Sequence, residues 1–408
     1  MKSSVRIQLS TMMFLEYFIW GVWYVTMGIY LTKIGFHGKE VGAAYSTLAI
    51  GAIISSFFVS MVADRYFAAE KLTGLLHLLA GCTMFIVSRI TDPAYFFWVL
   101  LLYMIFYMPT IALTNAISFH QTTEAGREFP RIRVLGTIGW IVAGLTISAL
   151  NIETGPQPMQ LAAVFSILMG IFCFFLPHTP PKSTGKKVLI RDILGLDALK
   201  LMRSRSFTVL IICTLLITLP FAMYHQFTNM VLNETGIENA AGKMTLGQMS
   251  EVVFMIIMPW FFIRLGIKRM ALLGMAAWVV RYLLFSFGNN AELVFFFYIG
   301  ILLHGICFDF FYVTGQIYVD KKAPVDVRAG VQGFYTLITY GVGWLLGTLI
   351  SGVVLEKYQI TDASQTVTGH NWPAVMLVPA VIAGVVLIVF WIFFQEGKDK
   401  IKIEKPLI

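Results

Sequence analysis

Twelve apolar runs, each long enough to make a membrane-crossing helix of about 20 residues, partition the chain. They cover approximately residues 8–31, 41–62, 72–90, 94–119, 132–150, 159–177, 206–232, 244–263, 270–287, 292–317, 329–355 and 372–395. The polar stretches between them are short, with one exception at about 178–205. That stretch opens with TPPKSTGKK and continues as VLIRDILGLDALKLM. Leu189, Ile193, Leu196 and Leu199 follow helical spacing there with Lys and Arg nearby, which predicts an amphipathic helix lying on the membrane surface.

Charge placement orients the runs. Of the 30 Lys and Arg residues, 23 fall on one side, in the N-terminal segment, the even-to-odd loops and the C-terminal segment; five fall on the other side, and Arg133 and Arg281 lie within runs. The positive-inside rule then predicts cytoplasmic termini and an even number of spans. The formal net charge of +8 therefore reports topology, and nucleic-acid binding is not expected.

Composition agrees. The chain has 408 residues, 58% hydrophobic and 13% charged, against about 25% charged in ordinary soluble domains. Cys82, Cys173, Cys213 and Cys307 sit in apolar runs without CxxC spacing and read as small hydrophobes, with no metal site expected. The first run is too long for a signal-peptide core and no small-x-small cleavage site follows it. It is expected to be an uncleaved first transmembrane helix.

Six runs, a basic central stretch and six more runs resemble the major facilitator superfamily. The resemblance implies an all-α membrane protein of twelve transmembrane helices in two pseudo-symmetric halves, 1–177 and 206–408, joined by the linker 178–205 and holding substrate near mid-membrane between the halves. VADRYFAAEK at 62–71 resembles the superfamily's cytoplasmic loop motif. It supplies Asp64, Arg65 and Lys71 as gating candidates, with Ser60 standing where the motif usually begins with Gly. IRLGIKR at 263–269 is a weaker echo.

Ionisable residues at membrane depth are functional candidates by default. They are Glu16, Arg133, Glu251, Arg281 and Asp309. Spacing groups them with polar companions. Arg133, Thr137 and Trp140 are i, i+4, i+7 on the fifth predicted helix. Gln226 and Asn229 are i, i+3 beyond Pro220, Gln248 and Glu251 are i, i+3, and His304 and Phe308 are i, i+4. Asp309 lies about 100° round its helix from Phe308. Amides and a carboxylate suit hydroxyl groups, a guanidinium suits carbonyl or ring acceptors, and aromatic faces suit stacking. A neutral polyhydroxylated ligand with a flat ring satisfies all three. Helix–helix hydrogen bonding is the competing reading of any single Asn or Gln. Arg281 is expected to be structural rather than ligand-binding, and Trp20 and Trp23 to pack against neighbours, with lining of the cavity as the alternative.

The stretches FLEYFIWGVW (14–23), GAAYSTLAI (42–50), YMPTIALTNAIS (107–118), FPRIRVLGTIGW (129–140), LGLDAL (194–199), QFTNM (226–230), QMSE (248–251) and FDFF (308–311) together resemble the bacterial nucleoside:proton symporter family. The resemblance implies proton-driven uptake of purine or pyrimidine nucleosides across the bacterial inner membrane, by a monomer that needs no cofactor beyond the proton. It places ligand contacts at Arg133, Thr137, Trp140, Gln226, Asn229, Gln248, Glu251, His304 and Phe308, and the buried aspartate at Asp309. Position 304 is usually Tyr in the family, 140 usually Phe and 16 usually Gln. His304 and Glu16 thus add titratable groups. The expected order of proton-coupling candidates is Asp309, Glu251, Glu16. Alternatives are a porter for another neutral polyol such as a sugar or oligosaccharide, a non-transporting receptor, and a membrane acyltransferase using the H-x4-D pair His304 and Asp309.

Overall fold

The computed structural model describes residues 2–58, 67–122, 124–181, 196–324 and 328–395. These residues are almost wholly helical, and each predicted run overlaps one or more helices. In chain order they are α1 (Ser3–Tyr24), α2 (Met27–Lys33), α3 (Gly38–Phe58), α4 (Ala69–Val87), α5 (Pro93–Gln121), α6 (Ala125–Leu150), α7 (Gln157–Cys173), α8 (Arg205–Glu234) and α9 (Ala240–Phe287). Then come α10 (Val294–Leu302), α11 (His304–Phe308), a π-helical turn (Asp309–Val313), α12 (Thr314–Lys322), α13 (Arg328–Thr336), a second π-helical segment (Leu337–Gly343), α14 (Trp344–Lys357) and α15 (Trp372–Phe393). A short antiparallel hairpin, β1 (Gln359–Thr361) with β2 (Val367–His370), joins α14 to α15. Among the described residues eight helices are long and apolar enough to cross a membrane, and the bent pair around Leu303 makes a ninth.

Lipid contact leaves a visible stripe. On α15 the exposed residues Val381, Val385, Ile388 and Ile392 follow i, i+4, i+7, i+11, while Ala383, Val386 and Phe390 are buried. An apolar stripe left outward on a helix otherwise packed in protein is what a hydrocarbon surround requires.

Three expectations are refined. The predicted helix over 292–317 is broken: α10 ends at Leu302 and the chain turns by 41° before continuing from His304. The runs 244–263 and 270–287, both within α9, are two helices that meet at a kink where Gly266 takes φ 70° and ψ 179°; this left-handed φ suits glycine. In the linker, Leu196–Arg203 forms a 3-10 helix with Ala198 buried and Leu199 exposed. Leu189 and Ile193 of the expected amphipathic helix lie outside the described residues, as do Asp64 and Arg65 of the loop motif; Lys71 is exposed on the first turn of α4.

The helices cluster into two compact units. The first comprises Met1–Ile193, Ala222–Thr245 and Trp344–Asn371, and the second Leu194–Phe221, Leu246–Gly343 and Trp372–Ile408. In the first unit, glycines let backbones meet, as membrane helix interfaces favour. A Cβ on Gly139 would strike the Phe14 carbonyl of α1. One on Gly42 would lie 2.7 Å from the Gly352 Cα, which brings α3 directly onto α14. Lys39 of α3 seals that contact by pairing with Glu356 at 2.8 Å. In the second unit a Cβ on Gly274 of α9 would lie 2.9 Å from the Phe311 nitrogen. One on Gly305 would lie 2.6 Å from the Ser250 carbonyl. Two close approaches thus pin α9 against the broken helix on either side of Asp309.

Candidate functional site

The first unit holds Arg133, Thr137 and Trp140 on one face of α6, as their spacing predicted. All three are half-buried, whereas Val134 and Ile138 beside them are exposed and Ile132, Gly136 and Gly139 are buried. The face is therefore neither packed into the unit nor turned outward with the apolar stripe. The Arg133 guanidinium lies 4.0 Å from the ring centroid of Tyr17, a cation–π contact that fixes its direction. Trp140 meets Trp20 edge to face at 5.4 Å. Gly21 makes room for it, since a Cβ there would stand 3.1 Å from the indole. The Trp20 Nε1–H has no hydrogen-bond acceptor among the described residues, which leaves a donor beside this aromatic pair.

Gln226 and Asn229 of α8 fall in the same unit but are engaged differently. Gln226 Oε1 accepts from the Ser351 hydroxyl at 2.6 Å, while its Nε2 has no partner among the described residues and remains able to donate. Asn229 is drawn into a polar knot around Glu153, a residue that the spacing argument did not single out. Glu153 Oε2 accepts from Asn229 Nδ2 at 3.2 Å and Asn233 Nδ2 at 3.1 Å. Its Oε1 accepts from the Ser148 hydroxyl at 2.8 Å and the backbone N–H of Ala241 at 3.0 Å. Glu153 lies in the turn between α6 and α7 and is 6% exposed. Its four donors come from α6, α8 and the N-terminus of α9, where a carboxylate is favoured by unpaired N–H groups.

The second unit brings Gln248, Glu251, His304 and Phe308 together with Asp309. Because Gly305 allows α9 to approach at Ser250, Glu251 Oε2 comes within 3.7 Å of His304 Nε2. The His304 ring stacks nearly parallel to Phe308 at 6.3 Å, and Phe221 and Tyr312 extend the aromatic surface at 5.7 and 5.5 Å from Phe308. Gln248, Glu251 and Phe308 are half-buried. Asp309 is different. It is fully buried, opens the π-helical turn, and neither carboxylate oxygen has a hydrogen-bond partner among the described residues. Leaving a buried carboxylate unsatisfied is costly, so its proton is the natural means of neutralising it.

Arg281 supports this site from behind. It donates from Nε to the Gly300 carbonyl at 2.8 Å and from a terminal nitrogen to the Ile301 carbonyl at 3.4 Å. Both carbonyls belong to the last turn of α10, and that of Ile301 also accepts a backbone N–H at the cap. Ser250 bonds the Leu302 carbonyl and Trp278 Nε1 the Cys307 carbonyl. The break before His304 is thus held open by side chains of α9.

Glu16, the remaining coupling candidate, is fully buried in the first unit. Its Oε2 lies 3.0 Å from His77 Nε2 and its Oε1 2.7 Å from the Thr110 hydroxyl. His77 stands in the apolar run LLHLLAG. An imidazole at membrane depth was visible there, but its partners are on other helices and no spacing rule connects them. Among the described residues no cluster of three or more metal-ligating side chains occurs.

The chain as a whole is similar to known proteins. The family model for nucleoside H+ symporters matches residues 1–399. The putative nucleoside transporter YegT of Escherichia coli K12 is 43% identical, with 98% of this chain and 96% of that relative covered. The xanthosine permease of the same organism is 30% identical, with 98% of both covered. The crystal structure of the nucleoside transporter NupG superposes with a TM-score of 0.87 at 29% identity, covering 96% of this chain and all of that one.

Proposed function

The chain belongs to the nucleoside H+ symporter family, and from that premise we propose that it takes up nucleosides by coupling their entry to that of protons. It is a multi-pass membrane transporter and not an enzyme. We assign it to the bacterial inner membrane with cytoplasmic termini, on the charge asymmetry of its loops, acting as a monomer without a cofactor.

The observation that carries the reading is the grouping of Glu251, His304 and Phe308 beside Asp309 in one unit. A carboxylate and an imidazole offer hydrogen bonds to ribose hydroxyls next to a stacking surface for a base, and a buried carboxylate with no hydrogen-bond partner among the described residues adjoins them. In the first unit the Arg133, Thr137 and Trp140 face offers a guanidinium, a hydroxyl and an indole. Gln226 contributes an amide N–H that has no acceptor among the described residues. Hydroxyl groups and a flat heterocycle in one molecule match this inventory. A proton on Asp309 removes the cost of its buried charge before substrate binds. Its release on the cytoplasmic side resets the carrier, so the two fluxes are linked through which forms can change conformation. Lys71, with Asp64 and Arg65, would gate that change at the cytoplasmic loop.

The test is uptake of labelled uridine into proteoliposomes with and without an imposed pH gradient. Nucleosides should compete and sugars should not. Asp309→Asn should abolish gradient-driven accumulation while leaving equilibrium nucleoside binding measurable; gradient-driven accumulation equal to wild type would remove Asp309 from coupling.

A further inference from the structure

We infer that Glu16 and His77 form a second proton-binding site, within the first unit, that is loaded in this conformation. The inference rests on the proton-coupled reading above, and it adds a residue, His77, and a location far along the chain from Asp309.

The argument is a count of hydrogens. Ser166 makes two contacts with His77: its hydroxyl donates to the His77 carbonyl at 2.9 Å, and its oxygen lies 3.2 Å from His77 Nδ1. A hydroxyl has one hydrogen, and a carbonyl only accepts. With that hydrogen committed to the carbonyl, Ser166 accepts from Nδ1, which must carry a proton. The other ring nitrogen, Nε2, faces Glu16 Oε2 at 3.0 Å. If His77 is neutral, its one N–H is already at Nδ1 and Nε2 is a lone pair. A bare carboxylate would then oppose a bare lone pair at hydrogen-bond distance. The contact is attractive only with a further proton on the Nε2–Oε2 line, either as carboxyl donating to imidazole or as imidazolium donating to carboxylate. Both forms are neutral overall, which suits a pair with no exposed surface. The Thr110 hydroxyl lies 2.7 Å from Glu16 Oε1 and 2.6 Å from the Tyr107 carbonyl, so its one hydrogen is shared between them, and the Tyr107 hydroxyl donates to the Glu16 backbone carbonyl.

The remaining ionisable groups around the pair come from every helix packed on it. They are Tyr17 of α1 with Arg133 of α6 over its ring, Tyr103 and Tyr107 of α5, and Cys173 of α7. No acid other than Glu16 contacts His77 among the described residues, so the proton belongs to this pair.

Its occupancy is connected to the nucleoside face through α1. Glu16 is followed by Tyr17, which holds Arg133, and by Trp20 one turn on, which meets Trp140. Removing the proton would push Glu16 from His77 and shift the turn that orients both contacts. The site is therefore expected to modulate nucleoside affinity with pH, separately from Asp309.

Glu16→Gln is the decisive variant. A glutamine amide can donate to His77 Nε2 and accept from Thr110, preserving the contacts without an acidic proton of its own. Protons released by purified, substrate-free protein over a base titration should fall by one per molecule in Glu16→Gln. The pH dependence of nucleoside affinity, measured by calorimetry, should lose one component. Ser166→Ala should keep the proton count and shift the midpoint of its release. An unchanged proton count in Glu16→Gln overturns the proposal; if that variant does not fold, an unshifted release midpoint in Ser166→Ala does so. The substrate-free count does not depend on nucleoside recognition, so failure of the nucleoside reading would appear separately, as absence of uridine uptake by wild type.

Discussion

Glu153→Ala tests how much of the first unit depends on one carboxylate. The side chain accepts four hydrogen bonds, from Ser148, Asn229, Asn233 and the Ala241 N–H. Hydrogen bonds to a charged group are worth about 1.5–3 kcal/mol each, giving a gross loss of roughly 6–12 kcal/mol. Much of this is recovered. Glu153 sits at the rim with a little exposure, so water can reach the abandoned donors, and the Ser148 hydroxyl keeps its bond from the Gly242 N–H at 2.7 Å. Polar contacts between membrane helices also average well below the gross figure, about 0.6 kcal/mol. A net loss of about 3 kcal/mol is the working value, roughly a hundredfold in the opening equilibrium of the segment 222–245. The assay is thiol accessibility. Ile237, buried between Asn233 and Ala241, is replaced by Cys in a background where Cys82, the exposed native cysteine, is Ser. Labelling by a membrane-impermeant maleimide should accelerate about a hundredfold when Glu153→Ala is added. Rates within threefold of each other would refute the reasoning, because the segment would then be held by apolar packing alone.

Other outcomes follow from the same geometry. Arg133→Ala should weaken nucleoside binding about 10- to 100-fold by calorimetry, the worth of one charge-assisted hydrogen bond; wild-type affinity would remove Arg133 from the site. Gly352→Ala places a Cβ 2.8 Å from the Gly38 carbonyl and 2.9 Å from the Gly42 Cα. It should cost about 1–3 kcal/mol by overpacking, read as a lower thermal midpoint. Arg281→Met removes the donor to the Gly300 carbonyl and the longer contact to the Ile301 carbonyl, which keeps a backbone N–H, at about 1–3 kcal/mol; thermal stability equal to wild type would contradict the bracing role of Arg281 at the helix break.

Much of this was legible in the chain because hydrocarbon imposes one simple demand, a long apolar helix, on every crossing. The Arg133, Thr137 and Trp140 face was readable for the same reason: three residues on one helix share a face whatever surrounds it. What the sequence conceals is pairing across helices. Glu153 sits in a loop where a carboxylate is unremarkable, and only the fold brings four donors to it. His77 was a visible anomaly whose partners lie 61 and 89 positions away. The break before His304 carries no proline; it depends on Arg281, Ser250 and Trp278 satisfying carbonyls from a neighbouring element, which no local pattern encodes. Asn229, expected to face ligand, is instead committed to Glu153 and Asn233, so its availability depends on whether that knot is closed.

The π-helical turn at Asp309–Val313 has a consequence for what a residue number means in this helix. A π turn closes hydrogen bonds five residues apart where an α turn closes four, so it stores one surplus residue. If that surplus travels along the helix, each residue it passes rotates by about 100° and advances about 1.5 Å. Asp309 stands at the edge of the stored residue. One step of the surplus toward His304 would carry the carboxylate to a different side of the helix, and it would have to release the close approach of Gly305 to Ser250 as it passed. The direction in which Asp309 points is thus tied to where the surplus sits, and not to its residue number alone.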